Sequence, residues 1–305
     1  MINFETSHPI LDKYALYLHL EKSFSPQTID AYGTDLQKLL QYVGGIDQVL
    51  MMNSSDLEAF FFQLRECGIQ ARSQARILSG MRSFFKFLIL ERLIEKDPTE
   101  LIDAPSLGKY LPEVLSVDEI DDMIACIDLS TNEGQRNKAI LEVLYGCGLR
   151  VSELVQLKLS KCSFDEEYLL VEGKGSKQRL VPISQRAIHE VHLWLEDRVH
   201  LDVKKGSEDF VFLNRRGQGL SRSMIFRIVQ QLASLAGIKK NISPHTFRHS
   251  FATHLLEGGA NLRAIQQLLG HESIQTTEIY THMDRTYLKE QVVQFHPYYN
   301  SMRNI

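Results

Sequence analysis

No stretch of this sequence approaches the 18 uninterrupted apolar residues that mark a membrane-spanning helix, which argues against membrane insertion. The N-terminal MINFETSHPILDKY has no basic flank leading into an apolar run, so no secretory signal is expected. Cysteine is scarce: Cys67, Cys126, Cys147 and Cys162 lie far apart and form no CxxC pair. They fit reduced cytoplasmic thiols better than a disulfide framework or a zinc site. No GxxxxGK loop followed by Ser or Thr occurs, so the usual nucleotide cradle is missing. Internal repeats and low-complexity tracts are also missing. What remains is an ordinary globular mixture, 44% apolar and 24% charged, in 305 residues, a length for two domains or three.

Negative charge is missing locally. The net charge is only −4 and the pI about 6.3, which taken alone argues against a nucleic-acid partner. Yet no acidic residue lies between Asp209 and Glu257, where Arg215, Arg216, Arg222, Arg227, Lys239, Lys240 and Arg248 fall. A second acid-free run, Gly173 to Arg186, holds Lys174, Lys177, Arg179 and Arg186. A third, Cys67 to Leu90, holds Arg72, Arg76, Arg82 and Lys86. Solvated helix faces usually carry both signs. Local field rather than the sum governs anion binding, so these runs point to a polyanion.

The first hundred residues read as four helices. One covers roughly 9 to 22. Ser25-Pro26 caps the next, with Ile29, Tyr32, Leu36, Leu39, Leu40 and Val43 at helical spacing before Gly44-Gly45. Ser55-Asp56-Leu57-Glu58 reads as a capping box ahead of Phe60, Phe61 and Leu64, and 70 to 93 forms a further helix. The expected division is a helical domain over 1–104, a Pro- and Gly-broken linker over 105–115 and a second domain over 116–305. Ser116 to Glu119 opens that domain with another capping box, and helices follow near 135–145 and from Arg150. Tyr168–Glu172 and Arg179–Ile183 read as a β-hairpin around a basic, glycine-rich turn, after which helices continue to the end. The fold class is mostly α: a helical domain plus a mainly helical domain with a small antiparallel β-sheet.

Several residues carry candidate chemistry. Gly148-Leu149-Arg150 places an arginine at a helix start, where orphan amides also favour an anion. The bland alternative is an ion pair with Glu153, three residues on. In Ser243-Pro244-His245-Thr246-Phe247-Arg248-His249, His245 and Arg248 share a face of the first helical turn, a donor pair suited to phosphate. Metal binding by His245, His249 and His254 is disfavoured, with an arginine among them and no carboxylate or cysteine nearby. Gly270 ends a helix and His271 follows it. Tyr280 lies nine residues later, and alone would read as a packing tyrosine.

Taken together, in order and spacing, these residues resemble the tyrosine recombinase family of the lambda-integrase type. GCGLRVSELVQLKL, GKGSKQRLVP, SPHTFRHSFATHLLEGGANLRAIQQLLGH and TTEIYTHM look like its Xer branch. SPQTIDAYGTDL and ARSQARILSGMRSFFKFL resemble the family's SAM-like core-binding domain. No catalytic motif position departs from the pattern. The resemblance implies that Tyr280 is the nucleophile and that Arg150 and Arg248 hold the phosphate. It makes Lys174 the acid for the leaving oxygen, His245 a proton-transfer partner and His271 a hydrogen-bond donor to the scissile phosphate. Lys177 is then a phosphate or base contact, and Glu153 a brace. Arg72, Arg76, Arg82, Lys86, Lys177, Arg179, Arg215, Arg216, Arg222 and Arg227 become candidate DNA contacts. Tyr287, Tyr298 and Tyr299 lack the family spacing from His271 and read as packing residues.

The resemblance further implies a cytoplasmic enzyme that needs no metal, no ATP and no other cofactor. Its two domains would embrace duplex DNA at a dif-like site. Partners would be a sister recombinase of XerC type in a heterotetrameric synapse and an FtsK-type DNA translocase. The segment through Leu288, Val292, Val293 and Phe295 would be an apolar tail that docks on a neighbouring protomer. A mobile-element integrase, a type IB topoisomerase and a non-catalytic architectural DNA-binding protein are the rivals. A start close to the core-binding domain favours Xer over an integrase with a basic arm-binding extension.

Overall fold

The computed structural model describes residues 8–22, 24–106, 113–131, 133–173, 177–270 and 282–300. The chain divides into two compact bodies, Met1–Tyr110 and Leu111–Ile305, with the boundary inside the stretch 105–115.

The first body is helical throughout. Helix α1 (Pro9–Leu16) runs into a π-turn at Tyr17–Glu21, followed by α2 (Pro26–Val43), α3 (Ile46–Leu50), α4 (Ser54–Glu66) and α5 (Ala71–Leu90). The Ser25 hydroxyl accepts from the Thr28 amide at 3.3 Å, which fixes the start of α2. Helix α4 starts earlier than the sequence pattern suggests. Its cap is Asn53, which accepts from Ser55 and Asp56 amides while Asp56 accepts from the Asn53 amide in return. That places Leu57, fully buried, inside the helix. The core joins Leu11, Tyr14 and Leu18 to Leu36 and Leu39 of α2 and to Ile77, Met81, Phe84 and Leu88 of α5. The Tyr14 and Phe84 rings meet edge to face at 4.9 Å, a favoured aromatic geometry.

The opposite face of α5 is basic. At about 100° per residue, Arg72, Arg76, Arg82 and Lys86 fall within roughly 120° of one another. All four are exposed.

The second body opens with α6 (Val117–Ala125), capped by Ser116 and Glu119 in reciprocal bonds of 3.1 and 2.7 Å. Helix α7 (Gly134–Cys147) is buried along most of its length and packs on α9 (Gln185–Arg198). Between them lie the short α8 (Val151–Val155) and an antiparallel sheet of β1 (Cys162–Ser163), β2 (Tyr168–Glu172) and β3 (Gln178–Pro182). The expected hairpin is therefore present, with β1 as an added third strand. Leu169 pairs with Val181 and Val171 with Arg179.

After α9 the chain is not continuously helical. Residues 199–221 are irregular, tied down by bridges Lys158 to Phe210 and Leu213 to Gly219 and by the Trp194 indole donating to the Val211 carbonyl at 2.9 Å. Helices α10 (Arg222–Leu235), α11 (Pro244–Gly258), α12 (Leu262–Leu269), α13 (His282–Phe295) and α14 (Pro297–Asn300) follow.

Among the described residues the tail packs on its own domain. Leu288, Val292 and Tyr298 belong to the core of their own domain. Tyr298 donates to Asp121 at 2.7 Å, and Arg186 lies 3.9 Å over its ring. His296 is fully buried among Tyr145, Phe251 and Tyr299; burial pushes its pKa down to about 3, so it packs as a neutral ring. Within the single chain this segment packs in cis; the expected docking concerns a neighbouring protomer.

Candidate active site

The glycine at the end of α7 creates the site. Gly148 has φ +58°, and a Cβ there would stand 2.4 Å from the Phe251 ring, so only glycine permits both the turn and the close approach of α11. The turn delivers Arg150 to the N-cap of α8. Glu153, three residues on, bends back to accept from the Arg150 amide and from its guanidinium, each at 2.8 Å. The helical ion pair considered for Arg150 is thus present, and it does not exhaust the arginine. Nη2 of Arg150 also donates to the Gly270 carbonyl at 3.2 Å.

Two more arginines converge on Glu153. Arg179 of β3 makes a forked pair with it at 2.7 and 2.9 Å. Arg248 of α11 approaches it at 3.9 Å and donates to the Gly148 carbonyl at 2.8 Å and to the Leu269 carbonyl. Arg179 Nε donates to the Leu268 carbonyl at 2.9 Å. Three successive carbonyls at the end of α12 therefore take one arginine each. Those carbonyls lack partners within the helix, and the helix dipole there favours cations.

The electrostatics follow from the count. Three guanidiniums share one carboxylate among the described residues, an excess of two positive charges. Burial would raise the Glu153 pKa, but hydrogen bonds and charge from Arg179 and Arg150 outweigh it and hold the carboxyl below its ordinary value. Burial and the neighbouring Arg150 and Arg179 also push the Arg248 pKa down from the ordinary arginine value, which there disfavours the charged form. An anion bound there would relieve that strain. Glu153 side-chain exposure is 2%, Arg179 6%, Arg248 10% and Arg150 34%, so Arg150 is the guanidinium that opens to solvent. His245 is also exposed, on the first turn of α11, three residues before Arg248. Ser243 and Thr246 cap that turn through bonds of 3.1 and 3.3 Å.

The structure thus brings Arg150, Arg248 and Glu153 together. His245 lies one turn from Arg248 on α11. Lys174, His271 and Tyr280 lie outside the described residues. Lys177 is exposed at the foot of the hairpin, where its carbonyl accepts from the Gly173 amide at 2.8 Å. Arg215, Arg216, Arg222 and Arg227 are exposed. Arg76 pairs with Asp35 and Arg82 donates to the Ile102 carbonyl at 2.8 Å, so part of the basic face of α5 is already engaged.

One assignment changes. Arg179, expected among surface DNA contacts, is buried, and all its observed bonds go to Glu153 and Leu268. Strand alternation carried a signal: Arg179 and Val181 occupy the same face of β3, and Val181 is core. Among the described residues no group of three His, Cys, Asp or Glu could hold a metal ion. His254 is occupied by the Tyr145 hydroxyl at 2.7 Å.

Comparison with known proteins places this geometry. The phage integrase family matches residues 113–286, and the N-terminal SAM-like domain of phage integrases matches residues 11–92. A tyrosine recombinase XerD of Chlorobaculum tepidum is 44% identical over 295 residues, covering 94% of this chain and 96% of the relative. XerD of Listeria monocytogenes is 40% identical, covering 94% of this chain and 98% of that one. Among solved structures, the XerH recombinase bound to a palindromic difH substrate superimposes with a TM-score of 0.69 at 23% identity, over 93% of this chain and 83% of that one. The Tn1549 transposon integrase in complex with circular intermediate DNA gives 0.72 at 20% identity, over 97% and 98%. These two likenesses establish the fold.

Proposed function

The chain belongs to the phage integrase family and is a site-specific DNA recombinase of the tyrosine type; from that premise we propose that it acts as an Xer recombinase, resolving chromosome dimers at a dif-like site during cell division. The observation that carries the chemical reading is the cluster of Arg150, Arg179 and Arg248 on the single carboxylate of Glu153.

Tyr280 Oη attacks a backbone phosphorus and forms a 3′-phosphotyrosyl bond. The bond to the 5′-oxygen breaks, and that oxygen leaves as a hydroxyl with a proton from Lys174. The phenol is protonated at neutral pH, its ordinary pKa being about 10, so its proton must move during attack; His245 takes it. His271 and the guanidiniums of Arg150 and Arg248 hold the nonbridging oxygens. A phosphodiester carries one negative charge and its pentacoordinate form two, which matches the excess of positive charge in the cluster. The site is therefore more complementary to the transition state than to the substrate. Attack by a 5′-hydroxyl on the phosphotyrosine reverses the step and rejoins the strand, so the bond energy is retained without ATP.

The exposed basic face of α5 and the exposed Arg215, Arg216, Arg222 and Arg227 supply backbone contacts, which position duplex DNA. The proposed partners are a XerC-like sister recombinase in a heterotetramer and an FtsK-type translocase, in the cytoplasm. No helix among the described residues is long and apolar enough to cross a membrane.

The test is a nicked duplex carrying dif-type half-sites, incubated with protein in EDTA. An SDS-resistant adduct is expected with wild type and none with Tyr280→Phe. Tight binding without an adduct, even after the sister recombinase is added, would sink the catalytic reading and leave an architectural DNA-binding protein.

A further inference from the structure

Arg179 is the one member of the arginine cluster with no obvious path to a phosphate. It is buried, and its bonds go inward to Glu153 and to the end of α12. Its surroundings are unusual in a second way. A Cβ on Gly173 would lie 3.8 Å from Arg179 Nη1 and 3.9 Å from Glu153 Oε1. A Cβ on Gly270 would lie 3.3 to 3.5 Å from Arg179 Cδ, Nε and Nη1. The guanidinium thus fills a slot walled by two glycines from distant parts of the chain. Gly173 immediately precedes Lys174, and Gly270 immediately precedes His271.

We propose that Arg179 is a positioning residue that sets the hairpin lysine in register with the arginine cluster. The argument rests on the reading of Lys174 as the acid for the leaving 5′-oxygen. Arg179 belongs to β3, paired with Val171 two residues before Gly173, so its backbone moves with the hairpin. Its fork is locked to Glu153, the carboxylate that also holds Arg150. A planar fork with fixed donors transmits position; a lysine ammonium keeps the charge but not the two-point geometry. Arg179 touches no reacting atom. It acts by fixing how far the hairpin turn stands from the phosphate that Arg150 holds.

The experiment compares two duplexes on which the wild type forms its adduct. In one the scissile 5′-bridging atom is oxygen; in the other it is sulfur, which leaves as a thiolate and needs no proton. Arg179→Lys is expected to slow adduct formation about 30-fold or more on oxygen and less than about threefold on sulfur, with DNA binding within about twofold of wild type. Equal slowing on both duplexes would overturn the proposal, because Arg179 would then serve only the phosphate clamp or the fold. No slowing on oxygen would overturn it as well. If Arg179→Lys does not fold, Gly173→Val, whose γ-carbons reach beyond the ordinary 3.8 Å contact a Cβ would make, presses on Arg179 from the hairpin side, and the same oxygen-versus-sulfur split is expected at about fivefold. An absence of adduct with wild type on both duplexes would defeat the recombinase reading instead. The strut is then read by hydrogen exchange of the Gly173 amide, which bonds the Lys177 carbonyl at 2.8 Å. Arg179→Lys, or Gly173→Val if it does not fold, should speed that exchange about tenfold relative to amides of α7, and unchanged exchange would overturn the proposal.

Discussion

Each domain buries a carboxylate against arginine beside a basic face or cluster, and these two, Asp35 and Glu153, respond in opposite ways. Asp35 of α2 is fully buried and meets Arg76 and, at 3.7 Å, Lys38. Burial outweighs both cations, and its pKa is raised. Glu153 is as deeply placed, yet its pKa is lowered. The difference is the partners. Arg76 and Lys38 are substantially exposed, with their charge screened by water, whereas Arg179 is buried and grips both Glu153 oxygens. The same residue type therefore serves two purposes. On α5 arginine offers an exposed, solvent-screened field; around Glu153 it is fixed in advance of any ligand.

The largest effect should come from breaking the second arrangement outright. Glu153→Gln leaves three guanidiniums facing one another, and the domain is expected to lose about 3–5 kcal/mol, read by urea unfolding. A loss below 1 kcal/mol would mean that the cluster does not depend on its carboxylate.

Removing one arm tests function instead. Arg150→Ala or Arg248→Ala should slow adduct formation by about 100- to 1,000-fold, as deletion of a transition-state donor typically does. Arg150→Lys should rescue little of that loss, because an ammonium cannot reproduce the fork. Single-turnover cleavage of a nicked duplex measures both.

Acid sharpens the comparison through its sign. Glu153 contributes stability above its ordinary carboxylate pKa and loses it as pH falls through that value toward the lowered folded one. Asp35 does the reverse: its raised folded pKa costs stability as pH rises from its ordinary value through the folded one. Between about pH 3 and pH 5, Asp35→Asn should therefore steepen the loss of stability on acidification. Glu153→Gln should flatten it. Unfolding curves across that range would reveal a reversed order.

The smallest effects belong to α5. Arg72→Ala or Lys86→Ala should each weaken DNA binding a few-fold and reduce the slope of log affinity against log salt by about one. Cleavage of the DNA that remains bound should not change. An unchanged salt slope would remove these residues from the interface.

Much of this was legible in the sequence where local rules decide. Ser25, Ser116 and Ser243 cap the helices they were expected to cap, and Gly44 and Gly270 end theirs in left-handed turns. Arg150 and Arg248 stood out because helix starts favour anions. Elsewhere two local patterns competed. Asn53 and Ser55 both precede an acid by three residues, and Asn53 won, taking two amides into its cap and Leu57 into the core. The burial of Arg179 showed only in the alternation of β3, because a basic run by itself reads the same whether its charges face water or a distant carboxylate. The tail was hidden for a related reason: Leu288 and Val292 declare an apolar face but not whose groove receives it.

The end of α12 has a consequence for how this sequence can drift. The three oxygens that receive Arg179, Arg248 and Arg150 there are main-chain atoms of Leu268, Leu269 and Gly270. Substitution can reshape the side chains of that helix, but it cannot delete a carbonyl. Among the described residues the clamp therefore exposes a single acceptor, Glu153, to mutation, and the other acceptors that steady the arginines are written in the backbone.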